Sequence, residues 1–212
     1  MARLLRFLFF GVFIRALVLV FLGLNVRHRE RLPSQGPAIL VANHNSHLDT
    51  MVLVSLLPLR LLPKIRPAAA MDYFLRNRLL AWFALNIVGI IPVARRPQGR
   101  APVLGGLAEA LARGDILIFF PEGSRGEPEQ RAKFKSGIAH LAEGHPEVPV
   151  IPLFMHGLGK ALPKGEAILV PFFCDVFVGK PLHWPGGRAE FMAALEVAMQ
   201  ALEQEGGFSA WE

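Results

Sequence analysis

From Pro37 onward, short apolar runs bounded by glycine and proline alternate with longer segments whose apolar residues recur at the helical period. This alternation is typical of an α/β sheet, because parallel strands buried on both faces are continuous apolar runs joined by crossover helices. The predicted strands are 38–42, 66–70, 90–94, 116–120 and 149–155, and the predicted helices are 47–57, 72–87, 100–113, 135–143 and 188–205. Residues 166–178 predict one or two late strands, with Pro171 at an edge or a break.

The length of 212 residues suits one well-buried domain, and we find no internal repeat or linker that indicates a second one. We therefore predict an α/β fold in which a mixed, largely parallel central sheet is flanked by helices. The expected organisation is an N-terminal helix at 1–24 and a single domain at 25–212.

The N-terminal segment is apolar from residue 7 to residue 24 except for Arg15. Eighteen positions are at the lower limit of a membrane-spanning helix, and a central arginine costs roughly 2.5–3.5 kcal/mol on insertion scales. A helix that lies in the bilayer interface, with Arg3, Arg6 and Arg15 directed to lipid headgroups, is an equal alternative. A signal peptide is disfavoured, since no small-residue cleavage site precedes Asn25. We predict membrane attachment and leave its depth open.

The charge is uneven, because residues 1–100 hold 14 Lys and Arg against 3 Asp and Glu, whereas residues 101–212 hold 9 against 14. A basic half joined to an apolar segment suits an anionic membrane surface, an acidic carrier protein or a phosphorylated substrate. Nucleic acid is disfavoured, since we find no helix-turn-helix spacing, zinc-ligand cluster or aromatic RNA-binding strand.

Cys174 is the only cysteine, so an intrachain disulfide is excluded and a reducing compartment is expected. No metal-ligand motif occurs, and we expect no metal.

The segment 43–49 follows the first predicted strand and holds His44 and Asp49 five positions apart. Residues five apart do not share a helical face. If His44 lies in the turn after the strand and Asp49 in the first turn of the next helix, the two side chains converge and the carboxylate orients a general base. The alternative is that Asp49 and Ser46 form a helix-capping pair.

Three further segments place candidate residues at or near strand ends. The loop 119–126 follows a buried strand and holds Glu122, Gly123 and Arg125, where an arginine would grip a phosphate and a glycine would allow close backbone approach. The segment 89–96 is an apolar strand that ends in Arg95 and Arg96, and 148–154 is a proline-bracketed strand near His156. Ordinary alternatives are a Pro-Glu-Gly turn, solvated arginines and a core strand.

Taken together, the four segments resemble, in order and spacing, the glycerolipid acyltransferase family that includes bacterial 1-acylglycerol-3-phosphate acyltransferase. The family's His-x4-Asp block matches at His44 and Asp49, preceded by Asn43. Its other blocks match at 89–95, 120–125 and 148–152, and the phrase 134–137 is also similar. The resemblance covers about residues 24–182, and it departs from the family at Pro92 and Arg96.

The resemblance implies an O-acyltransferase that moves a fatty acyl group from acyl-CoA or acyl carrier protein to the hydroxyl of a lysophospholipid, most simply 1-acylglycerol 3-phosphate. It implies that His44 and Asp49 are catalytic and that 25–212 is the catalytic domain. The arginines would bind the acceptor phosphate, and Glu122 would accept a hydrogen bond from a glycerol hydroxyl or orient an arginine. The implied acceptor-binding residues are Arg95, Glu122, Gly123, Ser124, Arg125 and Lys135.

No cofactor is expected beyond the acyl thioester co-substrate. The expected partners are a membrane phospholipid surface, the lysophospholipid acceptor and the acyl donor, with localisation at the cytoplasmic face of the inner membrane. Alternatives are a different lyso-lipid acceptor, a non-catalytic lipid-binding protein of the same fold, and a hydrolase that passes the acyl group to water. The hydrolase is disfavoured, since no Gly-x-Ser-x-Gly elbow is present.

Overall fold

A computed structural model of the chain describes residues 1–46, 48–94, 103–124, 126, 132–162, 170 and 172–208. Its seven strands form one sheet in the order β1-β7-β6-β2-β5-β3-β4. They are β1 (Leu22–Arg27), β2 (Ala38–Ala42), β3 (Ile65–Ala70), β4 (Ile91–Val93), β5 (Ile116–Phe119), β6 (Val150–His156) and β7 (Phe172–Val178). The five strands from β6 to β4 are parallel, whereas β7 and β1 run in the opposite direction. The predicted mixed, largely parallel sheet is confirmed.

Helices cover both faces of this sheet. The α-helices are α1 (Ala2–Leu8), α2 (Arg15–Phe21), α3 (Leu48–Leu56), α4 (Met71–Phe74), α5 (Arg78–Phe83), α6 (Gly105–Ala112), α7 (Gly137–Gly144), α8 (Leu158–Ala161) and α9 (Arg188–Gly206). Two π-helical segments (Phe9–Ile14 and Ala84–Val88) and two 3-10 turns (Arg29–Arg31 and Leu59–Lys64) complete the helical structure of the described residues. One core cluster contains residues of the π-helical segment Phe9–Ile14 and of α2, α3 and α8, and the other contains residues of α6, α7 and α9.

The predicted elements are found close to their expected positions, with two differences. The predicted helix 72–87 is interrupted after α4, and Asn77 starts α5 by accepting hydrogen bonds from the backbone N–H groups of Leu79 (2.8 Å) and Leu80 (3.4 Å). Strand β1 begins at Leu22, so the last three positions of the predicted N-terminal helix belong to the sheet. Residues 100–102 of a predicted helix and most of 166–171 lie outside the described residues.

The N-terminal helix, by which we mean α1, the π-helical segment Phe9–Ile14 and α2, is continuous from residue 2 to residue 21. Every fourth side chain from Arg6 to Val18 is buried, and Phe10 and Ile14 pack into the core. A π-helix has more residues per turn than an α-helix, so the π-helical segment helps to keep residues that are four positions apart on the same side of the N-terminal helix. The outward side is also apolar, and its exposed residues are Leu4, Leu5, Phe7, Leu8, Val12, Phe13, Leu19 and Val20.

In the described part of the chain, none of the helices combines the length and the apolar character needed to cross a bilayer.

Arg6 does not extend toward headgroups, and that expectation was wrong. Its guanidinium is buried and donates to the carbonyl oxygens of Ile65 (2.8 Å) and Val88 (3.1 Å). Burial, together with nearby Arg66, lowers the pKa of Arg6 to about 10. Gly89, at φ +77°, lies against this guanidinium, where a Cβ would come within 2.6 Å of Nη1. Arg6 therefore fixes the N-terminal helix to the start of β3 and to the end of the π-helical segment Ala84–Val88.

Candidate active site

The register of the two central strands brings the first and third sequence segments together. Val41 of β2 is paired with Phe119 of β5, and both strands run in the same direction. The residues three positions further along, His44 and Glu122, therefore leave the sheet side by side. The structure places them at the carboxyl edge, where open α/β sheets bind their ligands.

His44 and Asp49 form a hydrogen-bonded pair at this edge. The distance from His44 Nδ1 to Asp49 Oδ2 is 2.9 Å. Asp49 lies in the first turn of α3 and its side chain is 1% exposed, whereas His44 is 19% exposed. The imidazole ring stacks on Phe120, with ring centroids 4.1 Å apart and an interplanar angle of 19°. The carboxylate and the phenyl ring together fix the imidazole orientation.

Asp49 also holds the turn that carries His44. Its Oδ2 atom accepts hydrogen bonds from the backbone N–H groups of Asn45 (2.7 Å) and Ser46 (2.9 Å), in addition to the one from the imidazole. The predicted capping role and the predicted orienting role therefore belong to one oxygen atom. Hydrogen bonds to an ionised carboxylate are stronger than those between neutral groups.

Asn43 continues the pairing of β2 with β6 beyond the end of β2. Its side chain donates to the carbonyl of Met155 (2.8 Å) and accepts from the N–H of the same residue (2.7 Å). Sequence reasoning included Asn43 only through the family resemblance. Its buried amide locks the first residue of the turn, so His44 starts from a fixed backbone position.

Glu122 is buried beside His44 and holds its backbone. Glu122 Oε1 accepts a hydrogen bond from the His44 N–H at 3.1 Å, and in return Gly126 N–H donates to the His44 carbonyl at 2.9 Å. Oε2 is buried and has no hydrogen-bond partner among the described residues. Burial raises the pKa of Glu122 to about 7, against the lowering effect of N–H groups of His44 and Ala132. The sequence suggested a substrate contact for Glu122, and the structure adds a positioning contact.

Glu122 is expected to make stability depend on pH. The pKa of this carboxyl is raised from 4.5 to about 7 on folding, so the folded state holds the proton more tightly than the unfolded state. Its contribution to the free energy of unfolding is complete below pH 4.5 and is lost as the pH rises through 7. Between pH 5 and pH 8 the free energy of unfolding should fall by about 2–3 kcal/mol through this group. Glu122→Gln should remove that fall in urea unfolding measured at both pH values.

Glu147→Gln, which changes an exposed glutamate, is the control and should keep the pH dependence of the unaltered chain. Equal pH dependence in Glu122→Gln and the unaltered chain would contradict the assignment of this titration to Glu122.

Gly123 and Lys135 lie together at the exposed rim of the site. Gly123 closes a tight turn onto the Phe120 carbonyl (3.1 Å) with φ +73°, and Lys135 N–H donates to the Pro121 carbonyl (2.9 Å). A Cβ on Gly123 would lie 2.5 Å from Lys135 Nζ. The absent side chain therefore makes room for an ammonium group, a role that the sequence did not predict. Ser124 follows on the exposed side of the same turn.

The remaining predicted residues lie away from the His44–Asp49 pair or outside the described residues. Arg95 and Arg125, the predicted phosphate ligands, lie outside the described residues, as does His47. The segment leading to Arg95 is placed on β4, two strands from β5. His156 is the last residue of β6 and stacks on Phe208, with ring centroids 3.6 Å apart. Within the described ranges, no group of three or more His, Cys, Asp or Glu side chains could hold a metal ion.

Comparison with known proteins gives the family. A family model described as Acyltransferase matches residues 23–156. The chain belongs to the acyltransferase family. The matched range includes all described residues of the candidate active site, from Asn43 to Lys135. The predicted family resemblance is therefore confirmed.

Curated relatives of this acyltransferase-family chain include longer proteins. A chloroplastic 1-acyl-sn-glycerol-3-phosphate acyltransferase of Arabidopsis thaliana is 31% identical over 175 residues, which is 81% of this chain and 46% of the relative. The 1-acyl-sn-glycerol-3-phosphate acyltransferase alpha of Bos taurus is 29% identical over 177 residues, which is 80% of this chain and 58% of the relative. The chain thus spans about half the length of these relatives.

The fold is shared with a solved structure. The crystal structure of the 1-acyl-sn-glycerophosphate acyltransferase from Thermotoga maritima superposes with a TM-score of 0.76 at 21% identity, covering 99% of this chain and 81% of that chain. At this identity the likeness is one of fold.

Proposed function

We propose that this chain is an O-acyltransferase that transfers a fatty acyl group from an acyl thioester to the free hydroxyl of a lysophospholipid, with 1-acylglycerol 3-phosphate as the first candidate acceptor. The observation that carries the proposal is the 2.9 Å hydrogen bond between a partly exposed imidazole and a buried carboxylate at the carboxyl edge of the sheet. Family membership supports the reaction class. The names of the curated relatives support the acceptor.

In the proposed reaction, His44 acts as a general base through Nε2, because Nδ1 is directed to Asp49. As Nε2 takes the hydroxyl proton of the acceptor, the acceptor oxygen bonds to the thioester carbonyl carbon. Collapse of the tetrahedral intermediate breaks the carbon–sulfur bond, and the imidazolium returns the proton to the departing thiolate. Asp49 stabilises the imidazolium while it exists. The products are an ester and a free thiol, and no acyl-enzyme is required.

Lys135 supports an anionic acceptor. Its ammonium lies against the Gly123 turn, next to the loop residue Glu122 that fixes the His44 backbone. A phosphate there would receive a point charge from Lys135, and Arg95 and Arg125 are the proposed bidentate ligands. Ser124 would add a hydroxyl donor at the same rim. Because Glu122 accepts a hydrogen bond from His44 N–H, its proposed role is to position the His44 backbone, in preference to a direct contact with the substrate.

The thiol of the donor is that of coenzyme A or of acyl carrier protein, and no further cofactor is proposed. We propose that the chain works at a phospholipid membrane, on the cytoplasmic face where such thioesters are made available. The exposed apolar side of the N-terminal helix supports attachment at the interface. Deletion of residues 1–24 would not test this cleanly, since Phe10, Ile14 and Leu22 are core residues.

The test is mass spectrometry of the lipids that purified protein forms from a mixed panel of lyso-lipids with one acyl-CoA and one acyl-ACP. We expect one new ester species, with lysophosphatidate consumed before zwitterionic and aminolipid acceptors. Preferred acylation of a lyso-aminolipid would show that the proposed acceptor is wrong and would leave the proposed acyl transfer unchanged. Thioester consumption that is equal with and without acceptor would indicate a hydrolase, and binding of lyso-lipid without any turnover would indicate a lipid-binding protein.

A further inference from the structure

The helix α5 exposes large apolar side chains beside the N-terminal helix. Leu79 is 80% exposed and Trp82 is 48% exposed, and Leu85, one turn further along, is also exposed. All three lie on the solvent side of a segment whose inner residues, Ala84 and Val88, form a small core cluster. Exposed apolar patches of this kind mark interaction sites, because burial of a large side chain is favourable and soluble proteins rarely expose several together.

An open cleft of about 460 Å³ separates the two helices. The N-terminal helix contributes Leu8, Val12 and Phe13 to its lining, and the α5 side contributes Trp82, Phe83 and Ile87. Contact between Phe9 and Phe83, with ring centroids 5.2 Å apart, joins the two helices. The volume lies in the range of ligand sites, and a lining of hydrocarbon side chains fits a hydrocarbon ligand.

The charges beside the cleft are complementary to anionic lipid. Arg76 and Arg78 are exposed in the turn that starts α5, and Arg3 is exposed one turn before the cleft on the N-terminal helix. Asp72 is the one acidic residue in the segment 71–88. Arginines that border an apolar surface holding a tryptophan are typical of an interfacial membrane contact, in which the cations meet headgroups and the indole lies at their level.

We propose that α5 and the N-terminal helix form one membrane-contact surface, in which Leu79 and Trp82 enter the lipid and the cleft takes a hydrocarbon chain of a bilayer phospholipid. This rests on the proposed membrane attachment of the N-terminal helix and extends it to a second element. Vesicle binding tests it without acyl transfer, so its failure is distinguishable from failure of the proposed reaction.

The first experiment measures binding of the full chain to phosphatidylglycerol–phosphatidylcholine vesicles by flotation. Leu79→Ser combined with Trp82→Ser should weaken binding on the order of 10–100-fold, since two exposed side chains lose their burial in lipid. Val197→Ser is the matched control, because Val197 is 66% exposed on α9, which packs on the opposite face of the sheet. Unchanged binding of the double variant, or equal loss in the control, would overturn the proposal.

The second experiment reads the position of Trp82 directly. Trp184→Phe with Trp211→Phe leaves Trp82 as the single tryptophan. Brominated phospholipids should quench its fluorescence on vesicle binding. Vesicle binding without quenching would overturn the proposal. So would a concentration-dependent dimer, seen by sedimentation, that protects Trp82 and persists on vesicles, since it would show that a second copy covers this surface.

Discussion

His44→Ala should lower the rate of acyl transfer by about 10²–10⁴-fold, the range that a general base contributes. The imidazole is held by Asp49 on one side and by Phe120 on the other, so its loss removes the proposed base without removing a backbone contact. The measurement is initial rate against acceptor concentration with a fixed thioester. We expect the loss in kcat, with little change in the KM for the acceptor.

The control for this prediction is His140→Ala, which removes an exposed histidine of α7 and should leave the rate unchanged. His44→Gln is a second variant that fills more of the space beside Phe120, and it should be as inactive as His44→Ala. If both His44 variants unfold at the same temperature as the unaltered chain and still transfer acyl groups at full rate, His44 is not the base.

The second large effect is expected at Asp49, where charge and hydrogen bonding can be separated. Asp49→Asn keeps one oxygen that can accept from Asn45 and Ser46 N–H, but it removes the negative charge beside His44. We expect activity to fall by roughly 10²–10⁴-fold, with little loss of stability. Asp49→Ala leaves the two backbone N–H groups without this acceptor and should also lower the free energy of unfolding by about 2–5 kcal/mol.

A double-mutant cycle tests whether the two residues act as a unit. In the proposed mechanism Asp49 acts through the imidazole, so adding Asp49→Asn to His44→Ala should cost little further activity. Urea unfolding of the same four proteins gives the stability side of the cycle. Fully additive losses in rate would show that Asp49 contributes to the reaction independently of His44, contrary to the proposed mechanism.

The central strands were predictable from sequence because their environment is uniform. Every residue of β2 is buried, so an apolar run bounded by proline and polar residues was a sufficient signal. Strand β1 was not predictable in the same way. Its first residues continue the apolar pattern of the preceding helix, and only their pairing with β7 identifies them as a strand. Pairing across such a distance leaves no local trace in a single sequence.

The geometry of the candidate site was also predictable only in part. The five-residue spacing of His44 and Asp49 required a strand–turn–helix to bring them together, and the structure has that arrangement. The hydrogen bond from His44 N–H to Glu122 depends on the register of β2 against β5, which sequence reasoning did not supply. Burial of Arg6 was missed for a related reason. An arginine in an apolar helix indicates a headgroup contact until the two carbonyl oxygens it meets are known.

Strand β1 lies at the edge of the sheet, and its neighbour begins far along the chain, since Leu22 is paired with Phe172. A ribosome releases the N-terminal helix and β1 long before β7 exists. During that interval the parallel strands can assemble, because their partners all precede residue 157, while β1 has no strand to join. Of the seven described strands, the first to be synthesised is therefore the last to be paired. Until β7 exists, the helix attached to β1 can be held by its packing on α3 and on the π-helical segment Ala84–Val88, and not by strand pairing.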